Sequence, residues 1–233
     1  MTGFPHVFQY PYRRLKDEGF PLRGRWAVDF FGNNHPIILE LGCGKGEYTV
    51  GLGNLFPDKN FIGVDIKGAR MWSGAKESLE KGMKNVAFLR TNIELIEYFF
   101  DKEEISEIWI TFPDPQMKKV NKRLTSTRFL LLYRKILIPN GIIHLKTDSP
   151  FLYLYTCELV KQNNLPLYTD TVDLYNSRMA DRILSIQTFY EQQWIDRGMT
   201  IKYLQFACEN RKRYIEPEIE IPPDSYRSFG RNR

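Results

Sequence analysis

The stretch Pro36–Gly46, which reads PIILELGCGKG, decides the fold class of this chain. Its first half is a short apolar run typical of a buried strand, and its second half is a cluster of three glycines. A helical pattern over Glu47–Phe56 follows directly. A strand, a glycine turn and a helix in this order indicate an open α/β sheet, in which ligands bind at the carboxyl ends of the strands.

The same alternation of apolar runs and helical stretches continues outward from this unit. Further predicted strands are Asn60–Asp65, Asn85–Arg90, Ile105–Phe112, Gly141–Thr147 and Ile201–Cys208. Further predicted helices are Gly68–Lys81, Ser126–Leu137, Pro150–Gln162 and Thr188–Arg197. The alternation predicts parallel βαβ units in a doubly wound sheet with helices on both faces. We expect an N-terminal arm over residues 1–34, one α/β domain over 35–210 and a C-terminal tail over 211–233.

Length and composition exclude several classes of protein. The 233 residues suit one α/β domain, and 42% hydrophobic with 26% charged residues is typical of a globular protein. Neither an apolar run of roughly 20 residues nor a signal-peptide pattern is present, so we expect a cytoplasmic protein without membrane contact. The three cysteines are widely spaced and predict neither a disulfide framework nor a metal site.

The glycine spacing indicates which cofactor the domain binds. The pattern is G-x-G-x-G after Glu40, whereas a dinucleotide site requires G-x-G-x-x-G and a pyrophosphate at the helix N-terminus. S-adenosylmethionine has an ammonium, a sulfonium and a ribose diol, which suit a nearby acid better. Asp65 ends the second strand, 19 residues after Gly46, and is placed to accept from the ribose hydroxyls. Asn92 follows the third strand and is suited to the adenine.

The fourth strand leads into Asp114, which Pro113 and Pro115 bracket. The position predicts a carboxylate over the reactive end of the cofactor, although an aspartate between prolines is also ordinary turn chemistry. Seven basic residues and no acidic one lie between Lys118 and Lys135, in a chain of net charge +5. The block is either a solvated surface or a phosphate-binding surface for a polynucleotide.

Two sets of motifs carry a resemblance to known families. The glycine motif after Glu40, with Asp65 and Asn92, resembles the class I S-adenosylmethionine-dependent methyltransferases. The chain is more specifically similar to the bacterial tRNA (guanine-N7-)-methyltransferases in FPDP followed by basic residues, in Thr147-Asp148, and in the T-x-x-E motif of Thr188 to Glu191. It departs from that family at Asn92, where aspartate is usual, and at Gln116, where the family carries tryptophan.

The resemblance implies a Rossmann-like fold with a seven-stranded, mostly parallel sheet whose last strand is antiparallel. It implies methyl transfer to N7 of a guanosine at position 46, in the variable loop of tRNA, with Asp114 as the active-site residue. The implied cofactor-binding residues are Glu40, Gly42, Gly44, Gly46, Asp65, Asn92 and Asp114. The implied substrate-binding residues are Lys118, Asp148, Thr188 and Glu191, and the expected RNA contacts are Lys119, Lys122 and Arg123.

Two other functions fit parts of the pattern. An NAD-dependent oxidoreductase would use the same strand–glycine–helix unit, and a non-catalytic RNA-binding module would use the basic block. The glycine spacing disfavours the oxidoreductase. The oligomeric state, monomer or homodimer, stays open at this stage.

Overall fold

An eight-stranded sheet runs through the computed structural model, which describes residues 3–226. The strands are β1 Val7–Gln9, β2 Ile37–Leu41, β3 Asn60–Asp65, β4 Val86–Arg90, β5 Ile105–Thr111, β6 Leu137–Thr147, β7 Leu167–Thr171 and β8 Lys202–Cys208. The α-helices are α1 Tyr12–Glu18, α2 Glu47–Leu55, α3 Gly68–Glu80, α4 Thr127–Tyr133, α5 Pro150–Gln162 and α6 Phe189–Ile195. Within residues 3–226, no helix is long and apolar enough to span a membrane.

The strand order is β1-β4-β3-β2-β5-β6-β8-β7. Strands β1 to β6 are mutually parallel, and β8 runs antiparallel to both of its neighbours, β6 and β7. The chain winds from β2 to one side through β3 and β4, and then returns to start β5 on the other side of β2. The carboxyl ends of β2 and β5 therefore flank the topological switch point, where open α/β sheets bind ligands.

Both faces of the sheet are covered by hydrophobic side chains, as a mostly parallel sheet requires. Neighbouring residues of β2 belong to opposite faces, because Leu39 packs in one core cluster and Ile38 in the other. All five residues of β2 are buried. This double burial explains why the central strands are continuous apolar runs rather than alternating patterns.

The doubly wound, mostly parallel sheet and its antiparallel last strand are confirmed, but the predicted count of seven strands is wrong. One strand beyond the predicted runs is β1, which comes from the predicted N-terminal arm and pairs parallel with β4. The arm is also packed into the domain, since Trp26 is fully buried and its Nε1 donates to the carbonyl of Phe99 at 2.9 Å. A three-residue edge strand carries too little periodicity to be recognised from sequence.

Two further differences concern the C-terminal half of the chain, at the start of β6 and at β7. The helix predicted over Ser126–Leu137 ends at Tyr133, because Leu137 instead pairs with Ile105 at the start of β6. Strand β7 was not predicted, because it is an edge strand without a fully buried residue. In both cases, pairing with a neighbouring strand decides the local structure.

The part of the predicted tail that the structure describes, up to Tyr226, packs against the domain. Tyr214 is buried, Ile215 N donates to Asn163 Oδ1 at 2.7 Å, and Thr127 Oγ1 donates to Glu216 at 2.6 Å. These contacts bring the chain back towards the carboxyl ends of the strands. Residues 1–2 of the arm and 227–233 of the tail lie outside the described residues.

Candidate active site

The three glycines of the loop after β2 all have a left-handed backbone conformation, but their surroundings differ. Gly42, Gly44 and Gly46 have φ angles of 81°, 54° and 78°. A Cβ on Gly42 would meet nothing within 4 Å, whereas a Cβ on Gly46 would lie 2.6 Å from the Phe88 ring. Gly42 thus leaves room for a ligand to approach the backbone, and Gly46 allows the loop to pack on the sheet.

Glu40 lies beneath this loop rather than in the open cleft. Its side chain is buried, and its carboxylate accepts hydrogen bonds from Thr49 N at 2.9 Å, from Thr49 Oγ1 and from Thr111 Oγ1 at 2.6 Å. Burial raises the pKa of Glu40 to about 7, although these hydrogen bonds favour the ionised form. Glu40 therefore connects β2 with α2 and β5, and holds the two sides of the switch point together.

Asp65 and Asn92 lie on the other side of the loop. The carboxylate of Asp65 accepts from Gly44 N at 3.0 Å and from Lys67 N at 2.7 Å. A cavity of about 200 Å³ is lined by Asp65 and Asn92 together with Gly42 and hydrophobic side chains that include Ile66. Glu94, Gln116 and Lys122 line it as well, so the cavity combines polar and apolar groups, as a ribose and a purine require.

A second, smaller cavity of about 70 Å³ adjoins the glycine loop and shares Gly42 and Asp65 with the first. It is lined as well by Phe112 from the turn after β5 and by Thr188 and Tyr190 from the start of α6. Two larger cavities, of about 500 and 420 Å³, include none of the glycine-loop residues, although the second shares Glu94 and Phe129 with the cavity beside Asn92. We therefore take the two small cavities, which the glycine loop and Asp65 line, as the candidate site.

The turn that carries Asp114 is held in a restricted conformation. Phe112 and Gln116, on either side of it, have φ angles of 49° and 48°, in a region that non-glycine residues rarely occupy. Pro113 and Pro115 are buried, whereas Asp114 is exposed, and one of its carboxylate oxygens accepts from Gln116 N at 3.0 Å. Backbone strain of this kind is concentrated at functional sites in proteins.

The basic block after this turn divides into exposed and buried residues. Lys118 and Lys119 are exposed, and Lys122 is exposed while pairing with Glu94 at 2.5 Å. The hydrogen bond from Lys122 lowers the pKa of Glu94. The predicted RNA contact Arg123 is buried instead, and its guanidinium donates to the carbonyl of Met117 at 2.9 Å.

The aromatic neighbours of Arg123 complete its environment. Its guanidinium lies over the rings of Phe151 and Tyr155, at 4.7 and 4.4 Å from their centroids. A second bond, from Nε, reaches the carbonyl of Gln116 at 3.3 Å. Arg123 therefore lies inside the basic loop and not on its outer surface. From there it stabilises the loop that carries Asp114.

The T-x-x-E motif is the start of α6 and forms a capping box. Thr188 Oγ1 accepts from Glu191 N at 3.1 Å, and the Glu191 carboxylate accepts in return from Thr188 N. Glu191 is fully buried and pairs with Lys146 Nζ at 2.8 Å, and the hydroxyl of Tyr175 donates to it at 2.6 Å. Burial lowers the pKa of Lys146, and the Glu191 carboxylate opposes this shift. Thr188 reaches the candidate site, whereas Glu191 anchors the helix.

Asp148 follows β6 at the same edge of the sheet and is completely buried. Its Oδ2 accepts from the hydroxyl of Tyr226 at 2.7 Å, and its backbone carbonyl accepts from Lys202 Nζ at 3.2 Å. Asp148 therefore lies beside the site but beneath the C-terminal segment.

Sequence reasoning did not identify several residues that shape the site. Thr49 and Thr111 hold Glu40, and Arg70 lines the smaller cavity. Only Lys146 leaves a sequence signal, because a lysine inside an apolar strand run requires a buried partner.

Comparisons with known proteins identify the family and the fold. A family model described as a putative methyltransferase matches residues 34–204. Among solved structures, a 16S rRNA methyltransferase, KamB, superposes with a TM-score of 0.58 at 11% identity, over 76% of this chain and 90% of that chain. At this identity the likeness supports the fold alone.

Sequence relatives are much closer. The tRNA (guanine-N(7)-)-methyltransferase of Porphyromonas gingivalis is 65% identical and is aligned over 100% of this chain and 97% of the relative. The protein of the same name from Bacteroides thetaiotaomicron is 60% identical over 100% of this chain and 92% of the relative. The chain therefore belongs to the tRNA (guanine-N(7)-)-methyltransferase family.

Proposed function

We propose that this protein transfers a methyl group from S-adenosylmethionine to N7 of a guanosine in tRNA. The observation that carries the proposal is the open space beside the backbone of Gly42. Gly42 and Asp65 line both small cavities, and Phe112 lines the smaller one. The names of the relatives supply the acceptor atom and the substrate class. This family assignment also decides against the oxidoreductase interpretation.

The residues at the glycine loop fit the proposed cofactor. Gly42 and Gly44 leave space where side chains would obstruct a ligand. Each oxygen of the Asp65 carboxylate can accept more than one hydrogen bond, so the bonds from the backbone leave acceptor capacity for ribose hydroxyls. Asn92 supplies both an acceptor and donors for an adenine in the larger cavity. S-adenosylmethionine supplies an electrophilic methyl group on a positively charged sulfur.

Methyl transfer to N7 of guanine requires the protein to position the base, and it requires no proton abstraction. N7 carries an in-plane lone pair and no proton, so no general base is needed before the bond forms. The protein has to hold the purine in line with the methyl group at near-attack distance. Positive charge develops on the purine during transfer, and in this proposal the Asp114 carboxylate stabilises it. The rigid turn between Pro113 and Pro115 fixes that carboxylate.

The substrate residues take different parts in this proposal. Thr188 and the exposed Lys118 contact the guanosine, and Asp148 accepts from its N1–H and 2-amino group. Lys119 and Lys122 contact phosphates, which fix the register of the RNA. Glu191 acts indirectly, because its carboxylate is used by Lys146 and by the cap of α6.

The test is methylation of a tRNA transcript by the Asp114→Asn variant. This change keeps the size of the side chain and removes its charge, so we expect kcat/KM to fall about 10²- to 10³-fold, as for other groups that stabilise developing charge. Mass spectrometry of the nucleosides from the wild-type reaction identifies 7-methylguanosine and, after partial digestion, its place in the variable loop. Calorimetry with S-adenosylhomocysteine checks that the cofactor site is intact.

Asp58→Asn is the matched control, because Asp58 is exposed and lies away from the site in the loop after α2. An Asp114→Asn variant that keeps kcat/KM within about threefold of wild type would show that Asp114 has no such role. A wild-type protein that binds tRNA and forms no methylated nucleoside would instead favour the RNA-binding module.

A further inference from the structure

The described C-terminal segment, Asp224–Tyr226, lies across the carboxyl end of the sheet and is firmly anchored there. Asp224 is buried, and its carboxylate accepts from Ser149 Oγ and from Phe151 N at 3.0 Å. Ser149 is the N-cap of α5, so a negative charge there also interacts favourably with the positive end of that helix. The backbone N of Asp224 lies 3.1 Å from Met117 Sδ, in the loop after Asp114.

Tyr226 follows this anchor by two residues and covers Asp148. Its hydroxyl donates to Asp148 Oδ2 at 2.7 Å, and its ring packs edge-on against Trp194 of α6, with the centroids 5.2 Å apart. The segment thus connects the Asp114 loop, the end of β6 and α6. Asp148 has no exposed surface in this arrangement, and the Tyr226 hydroxyl occupies one oxygen of its carboxylate.

The hydroxyl of Tyr226 has the same hydrogen-bonding sense towards Asp148 as the Watson–Crick edge of guanine. In the proposed function, Asp148 accepts hydrogen bonds from guanine N1–H and from the 2-amino group. A tyrosine hydroxyl is likewise a donor to the carboxylate. Tyr226 and the guanine therefore compete for one buried acceptor.

We propose that Tyr226 is a further residue of the guanosine site, which occupies the Asp148 carboxylate in the free enzyme and is displaced by the incoming base. This inference rests on the proposed function of Asp148. Displacement replaces the hydrogen bond from the Tyr226 hydroxyl with those that guanine N1–H and the 2-amino group donate. The contact with Tyr226 is lost whichever base enters, so it weakens binding of all bases equally and leaves the selectivity to Asp148 itself.

The test compares Tyr226→Phe with wild type in the full chain, using a tRNA transcript and S-adenosylmethionine. The substitution removes the hydroxyl and retains the ring beside Trp194. We expect KM for tRNA and the directly measured Kd for tRNA to fall about three- to tenfold, the range of one net hydrogen bond. The affinity for S-adenosylhomocysteine should stay unchanged. Tyr168→Phe is the matched control, because Tyr168 is exposed on β7.

A second pair of variants connects the effect to Asp148. In an Asp148→Asn background, Tyr226→Phe should change the Kd for tRNA by less than twofold, because the charged acceptor is gone. An unchanged or higher KM in the single variant would overturn the proposal, and so would an equal effect in both backgrounds. If wild type binds tRNA without methylating it, the proposed function fails, and the Kd comparison still decides whether Tyr226 blocks the site.

Discussion

At the scale of single residues, similar backbone conformations serve different purposes in the glycine loop. Gly42 and Gly46 both have φ angles near 80°, which cost an L-residue about 1–2 kcal/mol. Only Gly46 also faces a packed neighbour, the ring of Phe88, whereas Gly42 faces open space. Glycine at position 42 thus leaves room for a ligand, and glycine at position 46 avoids a clash with the hydrophobic core.

This difference predicts separate outcomes for two alanine variants. Gly46→Ala adds a steric clash to the backbone strain and should lower the free energy of unfolding by about 2–5 kcal/mol. Gly42→Ala should cost about 1–2 kcal/mol from strain alone and should weaken S-adenosylhomocysteine binding at least tenfold. Urea denaturation and calorimetry measure the two quantities. Equal stability losses, or normal cofactor affinity in Gly42→Ala, would contradict this division.

Charged side chains mark the limit of prediction at the residue scale. The sequence motifs led us to Glu40, Asp148, Glu191 and Arg123, and the structure buries all four. For Glu191 the partner is far away along the chain, because Lys146 lies 45 residues before it. Residue type can indicate that a buried partner exists, as it does for Lys146 in its apolar strand, but local spacing does not identify which residue the partner is.

At the scale of elements, the buried Lys146–Glu191 pair fastens α6 to β6. Helix α6 has only seven residues and would be marginal alone. Lys146 Nζ also donates to the carbonyls of Leu184 and Ile186, in the segment that leads into the helix. The pair therefore fixes the placement of Thr188 and Tyr190 beside the glycine loop.

Removing one partner of this pair should be more damaging than removing both. Lys146→Met leaves the Glu191 charge buried without its cation, and we expect a loss of about 3–5 kcal/mol in the free energy of unfolding. The double variant Lys146→Met with Glu191→Gln should recover at least half of that loss, because no unpaired charge remains. Urea denaturation provides the measurement, with exposed Lys161→Met as the control. A loss below about 1 kcal/mol in the single variant would argue against a tight pair.

Most elements were predictable because apolar periodicity determines them. Strand Asn60–Asp65 and helix Pro150–Gln162 have the predicted bounds. The strands that were missed, β1 and β7, are short edge strands stabilised by pairing rather than by a buried face. The division into arm, domain and tail remains a proposal, and the arm is packed into the core that it precedes.

At the scale of the whole molecule, the N-terminal residues pack into the hydrophobic core and do not form a separate arm. Trp26 is fully buried against Phe8, Phe20 and Phe100, with ring centroids 4.9 to 5.6 Å apart. We expect Trp26→Ala to cost about 3–5 kcal/mol, as for other large core side chains. Chemical denaturation should still show a single transition.

The matched control for this prediction is Trp72→Ala, since the side chain of Trp72 is 48% exposed. Its effect should stay well below 1 kcal/mol, within the range of surface substitutions of about 0.5 kcal/mol. Two separate unfolding transitions, or a small effect of Trp26→Ala, would show that the arm is independent of the domain.

The position of β8 between β6 and β7 also affects how the chain folds during synthesis. The ribosome completes β7 before β8, yet β7 has no partner in the sheet until β8 has formed between them. A nascent chain that ends before Lys202 presents β6 as an open edge with unpaired backbone groups, a surface that promotes aggregation. Closure of the sheet therefore waits until translation has passed Cys208, so the growing polypeptide needs shielding until β8 has been made.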